Sequence, residues 1–101
     1  MTVSYPACFF KENDGRFSVI FPDIPGGTYG DDIAEAREMA VDMLAGYITY
    51  LNEENLPFPE PTDIDDVDPL KIAAGIDYTE YENVFTETVS VDVDKYSEDH
   101  F

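Results

Sequence analysis

A long apolar stripe near the middle of the chain constrains its fold most strongly. Apolar side chains recur there at steps of three and four, which predicts one amphipathic helix from about Ile33 to Glu54. Asp32 and Glu35 have the spacing of a capping box at its start. Such a helix needs an apolar surface to cover. The stripe consists of Ile33, Ala36, Ala40, Leu44, Tyr47, Ile48 and Leu51, widened by Met39, Met43 and Tyr50.

Two segments before this helix predict a β-hairpin. Residues 3–10 and 16–22 have strand character, and the second alternates with a period of two. Asn13-Asp14-Gly15 between them is strong turn chemistry, because Asn and Gly tolerate positive φ. Pro6 predicts that the first strand lies at an edge, or that the proline stands near its start. Thr28-Tyr29 predicts a brief third strand.

The segment between the hairpin and the helix predicts a tight turn. Pro25-Gly26, within residues 22–27, suits the central pair of a type II turn, in which Gly26 takes a positive φ. Gly46 in the middle of the helix weakens it relative to alanine. We therefore expect a close backbone approach to the sheet at Gly46.

The second half of the chain predicts a linker and a last strand. Residues 55–69 are acidic and proline-rich, and from Glu53 to Asp68 there are seven acids and no base. This composition predicts a solvated linker, with one short helical turn near residues 69–74. Residues 84–93 alternate again and predict a strand ending by about residue 94, although Glu87 interrupts its apolar face.

These elements predict a single α+β domain over residues 1–101. Their order is strand, strand, strand, helix, strand, in a small and mainly antiparallel sheet covered on one face by the helix. If the last strand lay parallel to its neighbour, the connection into it would cross right-handed.

The charge of the chain excludes several functions. Twenty-three acidic residues against five lysines and arginines give a net charge of −18. Nucleic-acid binding depends on cations that neutralise phosphates, and the five cations here are scattered. Anionic membranes should repel the chain. The natural complement is a cationic protein, although acidity can also serve solubility alone.

Catalytic and metal-binding residues are poorly represented. His100 is the only histidine and stands beside the end of the sequence. Cys8 is the only cysteine and lies among apolar residues, which favours a small buried hydrophobe in a reducing, cytoplasmic compartment. The acidic run 63–68 fails the pattern of a calcium loop, which needs glycine at position 6 and glutamate at position 12. No signal peptide or membrane span is seen, and we expect no catalytic, cofactor or metal site.

The combination of motifs between residues 5 and 61 resembles the HicB family of antitoxins. The motifs are Phe21-Pro22-Asp23-Ile24-Pro25-Gly26, Gly30-Asp31, Glu35-Ala36 and the Pro57–Pro61 exit from the helix. The resemblance implies a degenerate ribonuclease-H-like domain that binds a small, basic, mRNA-cleaving toxin of the HicA type and occludes its RNA-binding or catalytic face. It also implies a structural role for Phe21, Pro22, Asp23, Pro25, Gly26 and Gly30.

Many relatives in this family continue into a DNA-binding module. The sequence here ends at Phe101, just after the last predicted strand. We therefore expect that this chain does not bind an operator by itself.

Two other functions remain open from the sequence. An acidic mimic of nucleic acid should space its acids over one face, but 15 of the 23 lie between residues 53 and 101, many of them in predicted loops. A ribonuclease-H-like enzyme would need strand carboxylates around Mg²⁺, and residues 3–10 and 17–22 carry none. For the antitoxin, the candidate contacts are Tyr29, Asp31, Asp32 and Glu35, of which the helix cap already explains two. A homo-oligomer also remains open.

Overall fold

The computed structural model describes the backbone of residues 1–100 and the side chains of residues 1–98. It confirms the α+β class, the predicted order of strands and long helix, and the short helical turn predicted near residues 69–74, and it adds a helix after the last strand. The elements are β1 (Thr2–Glu12), β2 (Phe17–Ile20), β3 (Gly27–Gly30), α1 (Ile33–Glu53), a 3₁₀ turn (Ile64–Asp66), α2 (Pro69–Gly75), β4 (Tyr81–Asp92) and α3 (Val93–His100).

The four strands form one antiparallel sheet in the order β3-β2-β1-β4. The predicted hairpin pairs Cys8 with Ile20 and Lys11 with Phe17, and Gly15 in its turn has a φ of +94°. β4 runs along the whole of β1 and begins at Tyr81, earlier than predicted, because the pairing continues past a register shift at Lys11/Glu12. Since β4 is antiparallel to β1, the right-handed rule for parallel crossovers does not apply.

The position of Pro6 differs from the prediction. β1 lies between β2 and β4 and is a central strand, not an edge. β2 pairs only with residues 8–11 of β1, so at Pro6 the strand has β4 alone as a neighbour. A proline is tolerated there because it interrupts no ladder with β2.

The main core lies between α1 and one face of the sheet. Tyr5, Ala7 and Phe9 of β1 point to this face. Helix α1 contributes the predicted stripe, of which Ala36, Ala40, Leu44, Ile48 and Leu51 are buried together with Ala45. The other buried members of this core are Val19, Phe21, Ile24, Val89, Val91 and Val93.

The opposite face of the sheet carries a second, smaller core that the sequence did not predict. Cys8 and Phe10 of β1 are buried there against Ala73 of α2. The rings of Tyr78 and Tyr81 meet Phe10 edge-on at 5.2 and 5.0 Å. Burial raises the pKa of the Cys8 thiol to about 11, so Cys8 is a neutral packing residue, as the sequence indicated.

Three predictions about α1 are wrong in detail. Met39 and Tyr50 do not widen the buried stripe, since their side chains are 38% and 52% exposed. Gly46 does not approach the sheet, because a Cβ placed on it would meet nothing within 4 Å. The close approach is instead at Gly30, where a Cβ would lie 2.3 Å from the backbone nitrogen of Ala36.

The proline-rich segment is anchored and is not simply a solvated linker. Phe58 packs against the main core. The Tyr5 hydroxyl donates to the carbonyl of Pro59 at 2.7 Å. The Thr62 backbone amide and hydroxyl donate to the Asp23 carboxylate at 2.8 and 2.6 Å. These contacts hold residues 58–62 against β1, through Tyr5, and against the turn after β2, through Asp23.

The structure explains the interruption at Glu87 and shows that β4 ends at Asp92, slightly earlier than predicted. Glu87 interrupts the apolar pattern because its carboxylate accepts two hydrogen bonds from the Arg37 guanidinium of α1, at 3.1 and 2.5 Å. Val93 is buried, but it begins helix α3 and does not end the strand. The backbone of His100 belongs to α3, while its side chain and Phe101 lie outside the described residues.

Two glycine-to-alanine substitutions should have opposite effects on stability. Gly30→Ala should destabilise the domain by about 1–3 kcal/mol, because the new methyl group collides with the first turn of α1. Gly46→Ala should stabilise it by about 1 kcal/mol, since it improves helix propensity in open space. Urea denaturation followed by far-UV circular dichroism measures both. Equal free energies of unfolding for the two variants would contradict the assignment of the close approach to Gly30.

Candidate functional site

The four predicted contact residues meet where β3 leads into α1, a region called here the junction surface (Tyr29, Asp31, Asp32 and Glu35). The Asp32 carboxylate accepts from the Glu35 amide at 2.8 Å, and the Glu35 carboxylate accepts from the Asp31 amide at 3.0 Å. This exchange confirms the predicted capping box, although the return bond goes to Asp31 instead of the N-cap residue. The carboxylates of Asp32 and Glu35 are therefore engaged in starting the helix.

Asp31 and Tyr29 differ from these two residues. Within the described part of the chain the Asp31 carboxylate makes no hydrogen bond or ion pair, and the Tyr29 side chain is 59% exposed. The Arg16 guanidinium lies 6.0 Å from the centre of the Tyr29 ring. Asp14 holds Arg16 through contacts of 3.0 Å to its amide and to Nε. Hydrogen bonding to Asp14, with smaller effects of Glu12 and Asp31, raises the pKa of Arg16.

An open depression lies beside Tyr29, on the face of the sheet opposite α1. We call it the sheet groove and define it by Arg16, Ser18, Ile20, Tyr29, Ile76 and Tyr78. Its volume is about 520 Å³. Ser18 pairs with Tyr29 across β2 and β3, so these two side chains share a face, while Val19 between Ser18 and Ile20 points into the main core. The groove thus combines a predicted contact residue, Tyr29, with residues that the sequence did not single out.

The segment after α2 forms the far wall of the groove. Ile76 is 60% exposed. Asp77 adopts a φ of +56°, and the Tyr78 amide donates to the carbonyl of Ala73 at 2.9 Å, so the chain turns sharply as the helix ends. The Tyr78 hydroxyl donates to the Glu12 carboxylate at 2.6 Å, and burial together with this bond raises the pKa of Tyr78 to about 12.

The Phe-Pro-Asp-x-Pro-Gly motif forms the turn after β2 and packs it against the main core. Phe21 and Ile24 are buried in the main core. Asp23 binds Thr62, as described above. Gly26 has a φ of +87°, in the left-handed region that the turn prediction required of it.

The acidic run 63–68 has a local role that the sequence reading missed. Asp63 accepts from the Asp65 amide at 3.0 Å, and Asp68 accepts from the Lys71 amide at 3.2 Å. These aspartates cap the 3₁₀ turn and α2. Across the described residues, His, Cys, Asp and Glu form no group of three or more placed to hold a metal ion. In the same part of the chain, no helix has the length and apolar character to cross a membrane.

Comparison with known proteins decides the family. Residues 5–100 match the family model described as HicB_like antitoxin of bacterial toxin-antitoxin system. This chain belongs to the HicB-like antitoxin family. A relative named Antitoxin HicB 1, from Photorhabdus laumondii subsp. laumondii, is 40% identical over 76 residues, which are 71% of this chain. The chain spans about half the length of that relative, 49%.

Solved structures agree with this assignment. A chain from a toxin-antitoxin complex of Streptococcus pneumoniae has a TM-score of 0.81 at 29% identity, over 95% of this chain and 73% of that one. A chain from the HicA3 and HicB3 toxin-antitoxin complex has a TM-score of 0.62 at 28% identity, over 89% and 99%. The N-terminal domain of Burkholderia pseudomallei antitoxin HicB has a TM-score of 0.62 at 22% identity, over 89% and 99%, which shows the shared fold.

Two neighbouring aspartates of this HicB-like chain should differ in their contribution to stability. Asp32→Ala should lower the free energy of unfolding by about 1 kcal/mol, because it removes the N-cap of α1. Asp31→Ala should leave stability nearly unchanged, since its carboxylate makes no hydrogen bond in the described structure. Thermal denaturation of both variants against the unsubstituted chain provides the measurement. A loss at Asp31→Ala equal to that at Asp32→Ala would show that the capping assignment is wrong.

Proposed function

We propose that this chain neutralises a small, basic, mRNA-cleaving toxin of the HicA type by covering its RNA-binding or catalytic face. The observation that carries the proposal is an excess of negative charge that the domain does not use internally. Lys11, Arg16 and Arg37 are held in ion pairs by Glu82, Asp14 and Glu87. With five cations against 23 acids, most carboxylates can find a cationic partner only on another molecule.

The chemistry of the proposed partner supports this reading. A ribonuclease must hold a polyanion and therefore presents a cationic surface. A folded domain of charge −18 is attracted to such a surface and can compete with RNA for it. The complex named HicA3 and HicB3 pairs a toxin with an antitoxin of this fold. The lone, buried Cys8 is compatible with action in the cytoplasm, where thiols stay reduced.

The junction surface is the proposed contact region. Tyr29 offers an exposed aromatic side chain, and Asp31 offers a carboxylate with no internal hydrogen bond. Asp32 and Glu35 add negative charge at the same place, although they also cap α1. Electrostatic attraction should mainly accelerate the encounter, while apolar contacts determine how long the complex lasts.

Charge reversal at one end of α1 tests this contact. Asp31→Lys should slow association with the toxin more than Glu54→Lys, which changes the net charge equally but lies at the opposite end of α1, about 30 Å away along a 21-residue helix. Stopped-flow or surface-binding kinetics at low and physiological salt measure this difference. Screening within about 8–10 Å at physiological ionic strength should reduce the association rate of the unsubstituted chain steeply.

The outcomes of this experiment separate two errors. Equal association rates for Asp31→Lys and Glu54→Lys would show that the junction surface is not part of the interface. The proposal that the chain neutralises the toxin would still stand. A salt-independent association rate, or a toxin that stays fully active in a saturated complex, would refute occlusion by an acidic domain.

The same proposal excludes nuclease activity for this chain. The strand segments 3–10 and 17–22 carry no acid, and the Cys8 thiol is neutral and buried. Incubation of the purified chain with RNA, DNA or an RNA–DNA hybrid, in Mg²⁺ or Mn²⁺, should leave each substrate intact on a denaturing gel. Cleavage that disappears on a single Asp or Glu substitution would establish an enzyme and overturn the proposal.

A further inference from the structure

The sheet groove exposes apolar surface that no element of the described chain covers. Helix α2 protects the sheet only near Cys8 and Phe10. Over β2 and β3 the same face leaves the Tyr29 side chain 59% exposed, opposite the 60% exposed Ile76. The groove volume of about 520 Å³ lies within the range of ligand sites, roughly 300–1,000 Å³. It is therefore large enough to receive a bulky side chain from another molecule.

Two residues of the groove wall, Arg16 and Tyr78, are held by contacts within the chain. Arg16 is held by Asp14 beside the Tyr29 ring. On the far side, Tyr78 is held through its backbone amide by Ala73 and through its hydroxyl by Glu12. A preformed site loses little conformational freedom on binding, which favours affinity.

The charge around the groove indicates what it would accept. Glu12 and Asp77 line it, and Asp14 and Asp31 act on Arg16 at its rim. Arg16 is the only cation among the lining residues, and Asp14 already pairs with it. A second copy of this chain would bring further acids to the same place, against a net charge of −18 on each molecule. A cationic protein meets no such repulsion.

From these observations we propose that the sheet groove binds a large apolar or aromatic side chain of the toxin, flanked there by lysine or arginine. This inference rests on the proposed function and extends the interface from the junction surface to Ile76 and Tyr78. Tyr29 belongs to both regions and joins them. The apolar side chain would pack between Tyr29 and Ile76, while its cationic neighbours would meet Asp31 and Asp77.

The test compares truncations inside and outside the groove. Tyr29→Ala and Ile76→Ala should each raise the Kd for the toxin about tenfold, as expected of an anchor position. Tyr50→Ala is the matched control, because Tyr50 is a tyrosine of similar exposure, 52% against 59% for Tyr29, on α1 outside the groove. The probe is a HicA-type toxin that the unsubstituted chain neutralises, produced in a catalytically inactive form. Circular dichroism should show that all three variants keep the fold, since the truncated side chains are exposed.

The dependence of binding on salt distinguishes the apolar contacts in the groove from the charges around it. The effect of Tyr29→Ala and Ile76→Ala should lie in the dissociation rate and persist at about 1 M salt, where screening acts within about 3 Å. The effect of Asp31→Lys should largely disappear there. This contrast distinguishes an apolar anchor from a general loss of electrostatic attraction.

Each remaining outcome overturns a specific statement. If the unsubstituted chain neutralises the toxin and both groove variants bind within twofold of it, the groove is not part of the interface, while the proposed function stands. If the unsubstituted chain does not bind the toxin, the proposed function fails as well. If the chain alone is a dimer in sedimentation analysis and Tyr29→Ala makes it a monomer, the occupant is a second copy and the proposal is wrong.

Discussion

The structure depends on β1 being a strand that is buried on both faces. Tyr5, Ala7 and Phe9 point towards α1, and Cys8 and Phe10 point the other way, under α2. A strand in this position needs a neighbour on each edge and a cover on each face. The hairpin with β2 and the long pairing with β4 supply the edges, and α1 and α2 supply the covers. The remaining elements are arranged around this strand, and the connections between them follow the surface.

The acidic residues of the chain fall into two groups that the sequence alone does not separate, those that accept hydrogen bonds within the fold and those that do not. Asp32, Asp63 and Asp68 cap helical segments by accepting backbone amides, and Asp23 holds the proline-rich segment through Thr62. These carboxylates stabilise the fold locally. The Asp31 carboxylate makes no such bond in the described structure, although that of the neighbouring Asp32 does. A high net charge is thus compatible with specific structure, because part of it lies where helix termini favour negative charge.

The parts of the fold that follow from local pattern were predictable, and the parts that follow from pairing over long distance were not. The helix start at Asp32 and the turn at Gly15 each depend on a few neighbouring residues, and both agree with the structure. The second core is different, because it needs Ala73, Tyr78 and Tyr81 to reach Phe10 across the sheet. Glu87 appeared to be an interruption for the same reason, since its partner Arg37 is 50 residues away. Among the site residues, Tyr29 and Asp31 could be proposed from sequence. Ile76 could have been suspected only as an apolar residue directly after a short helix in an acidic segment.

The difference in length between the two covering helices explains why one side of the sheet stays open. Helix α1 has 21 residues and extends about 30 Å, so it is long enough to cover a four-stranded sheet whose strands lie about 4.8 Å apart. Helix α2 has seven residues and extends only about 10 Å, enough to cover β1 and its neighbour β4. The face over β2 and β3 is left to Tyr29, Ser18 and the turn at Ile76. An exposed apolar strip bordered by carboxylates suits the proposed interface. The strip can pack against apolar side chains of a partner, and the carboxylates can attract its cationic side chains. In the proposed complex, the carboxylates would attract a cationic surface from a distance, and the strip would retain it once contact is made.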